Sequence, residues 1–150
     1  MKEFLFRGKR VNNGEWVYGD LVRIPNGDSF EYYIISDFDD MDGIYDVGKY
    51  AIKVIPETVS EFCGLTDKNG KKIFEGDIIR IYSSNWWCGY TNNQLEKEKC
   101  RVYYCEAVAC FKFNDGKFEN SFSNYLFKDS EKRYSLEVIG NIYDNPELIK

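Results

Sequence analysis

The chain has 150 residues, 43% hydrophobic and 17% aromatic, and a formal net charge of -5 from 25 acidic and 20 basic side chains. That length suits one domain with a real core, and the acidic balance gives no global attraction for a polyanion, so nucleic-acid binding would need a local basic patch. Histidine is absent, which removes the commonest general base, the commonest metal ligand and the usual pH switch.

The aromatic share, carried by Tyr 12 and Phe 11, suits pleated, half-buried surfaces better than long helices. Phe4 and Phe6 alternate with Glu3, Leu5 and Arg7 and predict a short first strand. Asn12-Asn13-Gly14 predicts a turn, and Trp16 and Tyr18 an aromatic arm. Gly19-Asp20-Leu21-Val22-Arg23-Ile24 then predicts a strand, stopped by Pro25-Asn26-Gly27. Glu31 to Ser36 and Lys49 to Ile55 are further strands. Between them, Asp37-Phe38-Asp39-Asp40-Met41-Asp42-Gly43 is an acidic loop. Its spacing fails for calcium, because Phe38 would fall at the first ligand position and Lys49 at the twelfth.

The densest punctuation lies from Phe62 to Tyr82. It predicts a tight Asn69-Gly70 turn, a short arm from Lys71 to Phe74, a reversal at Glu75-Gly76-Asp77 and a buried strand from Ile78 to Tyr82. Gly76-Asp77-Ile78-Ile79-Arg80-Ile81 repeats the pattern of Gly19 to Ile24, so one strand-start device is expected twice. Ser83 to Lys99 predicts a long hairpin tip or loop, with Trp86, Trp87 and Tyr90 among polar residues. Arg101 to Phe113 alternates throughout and predicts one strand, which would put Cys105 and Cys110 on opposite faces, unable to pair. Asn114-Asp115-Gly116 is a turn. Phe118, Phe122, Tyr125 and Leu126 recur at helical spacing and predict a short helix or helical turn near residues 121–127. Tyr134 to Ile139 is the closing strand, and Asn145-Pro146-Glu147 starts a short C-terminal turn.

Five cysteines, at 63, 88, 100, 105 and 110, form no Cys-x-x-Cys pair. An odd count with no secretory apolar run at the start implies reduced thiols in a cytoplasm, and no segment is apolar for long enough to span a bilayer. The fold class expected from the residues is mainly β: a small barrel or sheet with added β-hairpins, in two β units of one domain, about residues 1–60 and 61–150.

Several stretches resemble the YopX family of bacteriophage and prophage proteins. They are Pro56-Glu57-Thr58-Val59, then Gly64-Leu65, Asp67, Gly70, Ile73 and Glu75-Gly76-Asp77-Ile78. Val138-Ile139-Gly140-Asn141-Ile142-Tyr143-Asp144-Asn145-Pro146-Glu147-Leu148 is similar to the family's ending, and Phe6-Arg7 and Tyr18-Gly19 fit as well. The resemblance implies an SH3-like small barrel acting in the cytoplasm of a bacterial host. It implies no reaction, no cofactor and no established site residues.

Candidate sites then come from the residues alone. Trp86, Trp87 and Tyr90 could stack on bases or anchor a protein partner, with Lys97, Lys99 and Arg101 supplying charge for a phosphate backbone; the competing expectation is that the rings fold back over a barrel end. Lys68, Lys71 and Lys72 form a second basic group on the central turn, where solvated surface is the simpler account. Glu75 and Asp77 share a face in an extended chain and could run acid–base chemistry, although turn geometry already accounts for them. Cys63 could be a nucleophile, but without histidine a buried core thiol is the simpler role. The function expected is a non-enzymatic accessory protein that binds a phage or host protein or a second copy of itself. The alternatives are a single-stranded nucleic-acid binder of small-barrel type and a carboxylate-dependent hydrolase. No metal, cofactor or membrane enters any of these readings.

Overall fold

A computed structural model describes residues 3–36, 50–84, 94–114, 119–122 and 134–149. The chain forms two compact units, Met1–Phe62 and Cys63–Lys150, and nearly all of the regular structure is antiparallel strand.

The first unit contains β1 (Phe6–Lys9), β2 (Trp16–Asn26), β3 (Ser29–Ile35), β4 (Ala51–Val54) and the start of β5 (Ser60–Thr66). Its core is Val17, Ile34 and Val54, with Phe6, Leu21, Tyr32, Ile52 and Val59 packed around them. β2 serves two ladders in succession: Trp16 to Gly19 pair with β1, and Asp20 to Asn26 pair with β3. Gly19 sits at the handover, with φ +155 and its backbone so close to β3 that a Cβ would lie 1.9 Å from the Ile35 carbonyl oxygen. A short 3₁₀ turn, Pro56–Thr58, follows β4, as the brevity of that segment requires. The Thr58 hydroxyl accepts from the Lys9 N–H at 2.9 Å and donates to the Ile55 carbonyl at 2.7 Å. The buried Thr58 hydroxyl thus has both a donor and an acceptor within the unit.

The expected barrel does not close among the described residues. β4 returns toward β1 through one bridge, Arg10↔Val54, and the hydrogen bonds Ile55 N–H to Lys9 O (2.8 Å) and Val11 N–H to Lys53 O (3.1 Å). A barrel needs a continuous ladder at every seam; here β4 is four residues long and the chain after β1 turns away at Val11.

The second unit adds β6 (Lys72–Phe74), β7 (Asp77–Ser84), β8 (Gln94–Cys105), β9 (Cys110–Asn114), β10 (Glu119–Ser121) and β11 (Tyr134–Asn141). Five of these form an open sheet in the order β10-β9-β8-β7-β11. Ile73, Ile79, Ile81, Cys100, Val102, Phe113, Phe122 and Leu136 make its core. The chain ends in a 3₁₀ turn, Pro146–Ile149, at the expected Asn-Pro-Glu start.

Two carboxylates hold the central stretch in shape. Asp67 Oδ1 accepts from the N–H groups of Asn69 (2.8 Å) and Lys71 (2.9 Å), while Oδ2 accepts from the Val138 N–H (3.1 Å) on β11. Asp77, 1% exposed, accepts from the Phe74 N–H at 2.8 Å across the Glu75-Gly76 reversal. Gly76 takes φ +78 there. The two Gly-Asp segments are therefore not one device used twice: Gly19 bends β2 from within and Asp20 is exposed, whereas Gly76 precedes β7 and Asp77 is buried.

Three further expectations change. Arg101 to Phe113 is a hairpin instead of one strand: β8 ends at Cys105, a 3₁₀ turn covers Glu106–Val108, and β9 starts at Cys110. Ala109 makes the reversal in the left-handed region, φ 48 and ψ 44, a conformation that alanine does not advertise. Gln94 to Lys99, expected in a loop, lies in β8 opposite β7. The helix expected near 121–127 does not begin as a helix: Ser121 ends β10, paired with Lys112, because β9 offers a free edge. Residues 123–127 lie outside the described residues, as does the acidic loop Asp37–Gly43.

Replacing Gly19 by Ala should destabilise the protein by more than about 3 kcal/mol, since both the backbone conformation and the Ile35 carbonyl oppose a Cβ. Gly27→Ala, at φ +59 in open space, should cost only about 1 kcal/mol. Urea melts of the two variants measure the contrast.

Burial alone would raise the Asp67 carboxyl, but the N–H groups of Val138, Lys71 and Asn69 outweigh it and hold it below its ordinary 3.8. A depressed folded value means stability that is full above the unfolded pKa and lost as the pH falls through the folded one. Asp67→Asn should destabilise by about 1–3 kcal/mol at neutral pH. The gap to the unsubstituted chain should narrow as the pH is taken down through and below 3.8. Denaturant midpoints measured across that window test both.

Candidate functional site

Two surfaces carry the features a partner could use, one in each unit. In the first unit the β2–β3 hairpin runs on beyond the ladder with β1 and, past the β3–β4 pairing at Tyr32, continues as a two-stranded arm. Pro25↔Phe30 and Asn26↔Ser29 close it at the tip. One face continues the core row outward: Ile34, then Tyr32, then Phe30, which is 44% exposed with the Arg23 guanidinium 4.2 Å over its ring. The other face carries Ile24, 45% exposed, opposite Glu31.

A polar clamp runs along the arm from its tip to β4. The Lys53 ammonium is 2.6 Å from Glu31 Oε1, Tyr33 donates to Glu31 Oε2 at 2.6 Å, and the Asn26 amide donates to Glu31 Oε1 at 3.0 Å. The hydrogen bond from Lys53, then that from Tyr33, lower the Glu31 carboxyl, and the same carboxylate raises Lys53 and Tyr33. Glu31 thereby ties β2, β3 and β4 together and pre-orders the arm.

In the second unit the cross-strand register aligns a row on the sheet face opposite the Val102–Phe113 core pair. It runs Arg80 and Lys99, Arg101 and Asn114 and Glu119, Tyr103 and Lys112 and Ser121, and Cys105 and Cys110. Lys112 lies 3.6 Å from Glu119. Toward β11, Tyr82 donates to Glu137, which also pairs with Lys68 at 3.1 Å, and the Lys68 ammonium sits 4.1 Å over the Tyr82 ring. Lys68 is thus part of a built cluster and not merely solvated, while Lys71 is exposed.

Arg101, Tyr103, Asn114, Glu119 and Ile149 line an open cleft of about 400 Å³ on this face. The Tyr103 hydroxyl is enclosed there, with no hydrogen bond of good geometry among the described residues. Burial, then the nearby Glu119 carboxylate, push it up to about 12, so the phenol remains a proton donor across the physiological range.

Of the residues singled out beforehand, Lys99 and Arg101 are exposed and two apart on β8. Lys97 is separated from them by a bulge, since Ile81 pairs with Lys97 and Arg80 with Lys99. Trp86, Trp87 and Tyr90 lie outside the described residues. Glu75 accepts from the Tyr104 N–H at 3.3 Å and Asp77 from the Phe74 N–H, so each carboxylate has a backbone donor. Cys63 packs against the core, where burial pushes its thiol up to about 11, the opposite of an activated nucleophile. Ile24, Phe30, Arg80, Tyr103, Lys112 and Glu119 were not anticipated. The only signal for them was alternation, which identifies a face but not its partner strand.

No curated protein matches the chain. Among solved structures, the crystal structure of protein EF1440 from Enterococcus faecalis is similar at a TM-score of 0.49 and 21% identity, covering 100% of both chains. The family model described as YopX protein matches residues 5–150. The chain belongs to the YopX family.

Proposed function

We propose that this chain is a non-enzymatic accessory protein of a phage or prophage, working in the bacterial cytoplasm by binding another protein through the β2–β3 arm. One observation carries the reading. From Asp20 to Asn26, β2 pairs only with β3 among the described residues, while Ile24 and Phe30 stand about half exposed on opposite faces of the arm. An exposed strand edge with apolar side chains is a ready template for strand addition or for a second copy. The Glu31 clamp supports it by lowering the ordering cost of binding. The phage and host settings rest on the family resemblance. An SH3-like strand arrangement in the first unit, open at one seam, belongs to the same proposal and is supported by the Arg10↔Val54 bridge.

The test is affinity capture from induced host cells with nuclease present, comparing the chain with an Ile24→Glu/Phe30→Glu double variant, alongside light scattering for self-association. The reading expects a defined partner, or a dimer, that survives nuclease and weakens at least about tenfold in the variant while circular dichroism is unchanged. Equal capture by both proteins would overturn it.

A second reading, binding of single-stranded nucleic acid, is favoured by the cation-rich sheet face. Arg80, Lys99, Arg101 and Lys112 stand there against Glu119 and Glu137, in a chain whose net charge is -5. It expects oligonucleotide binding whose logarithmic salt slope falls by about 0.7 for each phosphate contact removed by Lys99→Ala or Arg101→Ala. It also expects weaker binding on replacing Trp86 or Trp87 by Ala. Binding indifferent to salt and to all four changes removes this reading.

A further inference from the structure

Cys105 and Cys110 are direct register partners at the closed end of the β8–β9 hairpin. Opposed residues of an antiparallel pair have Cα atoms about 4.5–5.5 Å apart and side chains on the same face. That separation falls inside the roughly 4.4–6.8 Å window for a disulfide. Both residues carry free thiols and are half-buried, so a small reagent reaches them. The turn between them, Glu106 to Ala109, is wholly exposed and can adjust without disturbing the core.

The other described thiols are placed differently. Cys100 is 4% exposed in the core, and burial pushes Cys63 up to about 11. Register and exposure therefore single out one pair.

We infer that Cys105 and Cys110 form a dithiol–disulfide couple, a modification site that exchanges with low-molecular-weight disulfides. One thiolate of the pair attacks a sulfur of the small disulfide, whose S–S bond breaks and releases one small thiol. The second protein thiolate attacks the resulting mixed disulfide at the protein sulfur, forms the Cys105–Cys110 bond and expels the second small thiol. Two electrons pass to the small disulfide, and the two protons lost by the protein end on the two small thiols. The oxidised form staples the hairpin tip that presents Tyr104 against Phe111, ring centroids 5.2 Å apart, and the exposed Val108.

The probe is glutathione disulfide, added to the folded full chain, followed by alkylation, trypsin and mass spectrometry. Cleavage after Arg101 and Lys112 yields Val102–Lys112, which contains both cysteines and none of the others. The expected result is a peptide alkylated twice before treatment, and after it unalkylated and lighter by two hydrogens, with dithiothreitol reversing the change. Cys105→Ser should stop at one glutathione held on Cys110. A peptide that stays doubly alkylated, a stable glutathione adduct in the unsubstituted chain, or a cross-link between two chains would each overturn the inference.

Discussion

A carboxylate taken out of water must be met by donors, and in the second unit this constraint organises the backbone. Asp67 accepts three N–H groups, two from its own turn and one from Val138, 71 residues further on. Asp77 accepts the Phe74 N–H across the reversal that feeds β7. Leaving such a group unmatched costs about 1–3 kcal/mol or more, comparable to much of a small domain's net stability. The Lys68 N–H bond to the Leu136 carbonyl, 2.8 Å, adds a second tie between the same turn and β11. The central stretch is therefore a fastening point for the last strand as well as a turn.

Much of this was legible in the residues. The Asn69-Gly70 turn, the arm expected from Lys71 to Phe74 and found as β6 from Lys72, the Glu75-Gly76-Asp77 reversal and the buried β7 follow from glycine and aspartate chemistry acting over three or four residues. Long-range consequences were not legible. Each arm from Arg101 to Phe113 alternates by itself, a four-residue loop shifts the phase between the arms by one residue, and Glu106 to Ala109 contains no turn-forming residue to mark that shift. That one ambiguity reversed the relation between Cys105 and Cys110, from opposite faces to facing partners. Helical spacing at Phe118 and Phe122 was outweighed by the open edge of β9, which took Glu119 to Ser121 as a strand.

The candidate surfaces divide in the same way. Lys99 and Arg101 could be named from sequence because charge is a local property. The arm could not, because an exposed Ile24 or Phe30 becomes notable only once the ladder with β1 is seen to end at Gly19. The enclosed Tyr103 hydroxyl depends on three strands and the C-terminal turn meeting at one cleft.

The tie from Asp67 to Val138 also bears on how the chain is made. Among the described residues, the register partners of β1, β2, β3 and β4 all precede Phe62, so their ladders can form while the rest is still being translated. In the second unit β7 waits for β11, and the edge of β7 that pairs with it from Asp77 to Ser83 stays open until Asn141 has been added. Vectorial synthesis thus imposes an order on the two units, and it exposes β7 to off-pathway pairing for the time needed to add about 60 residues, a few seconds at about 5–20 residues per second.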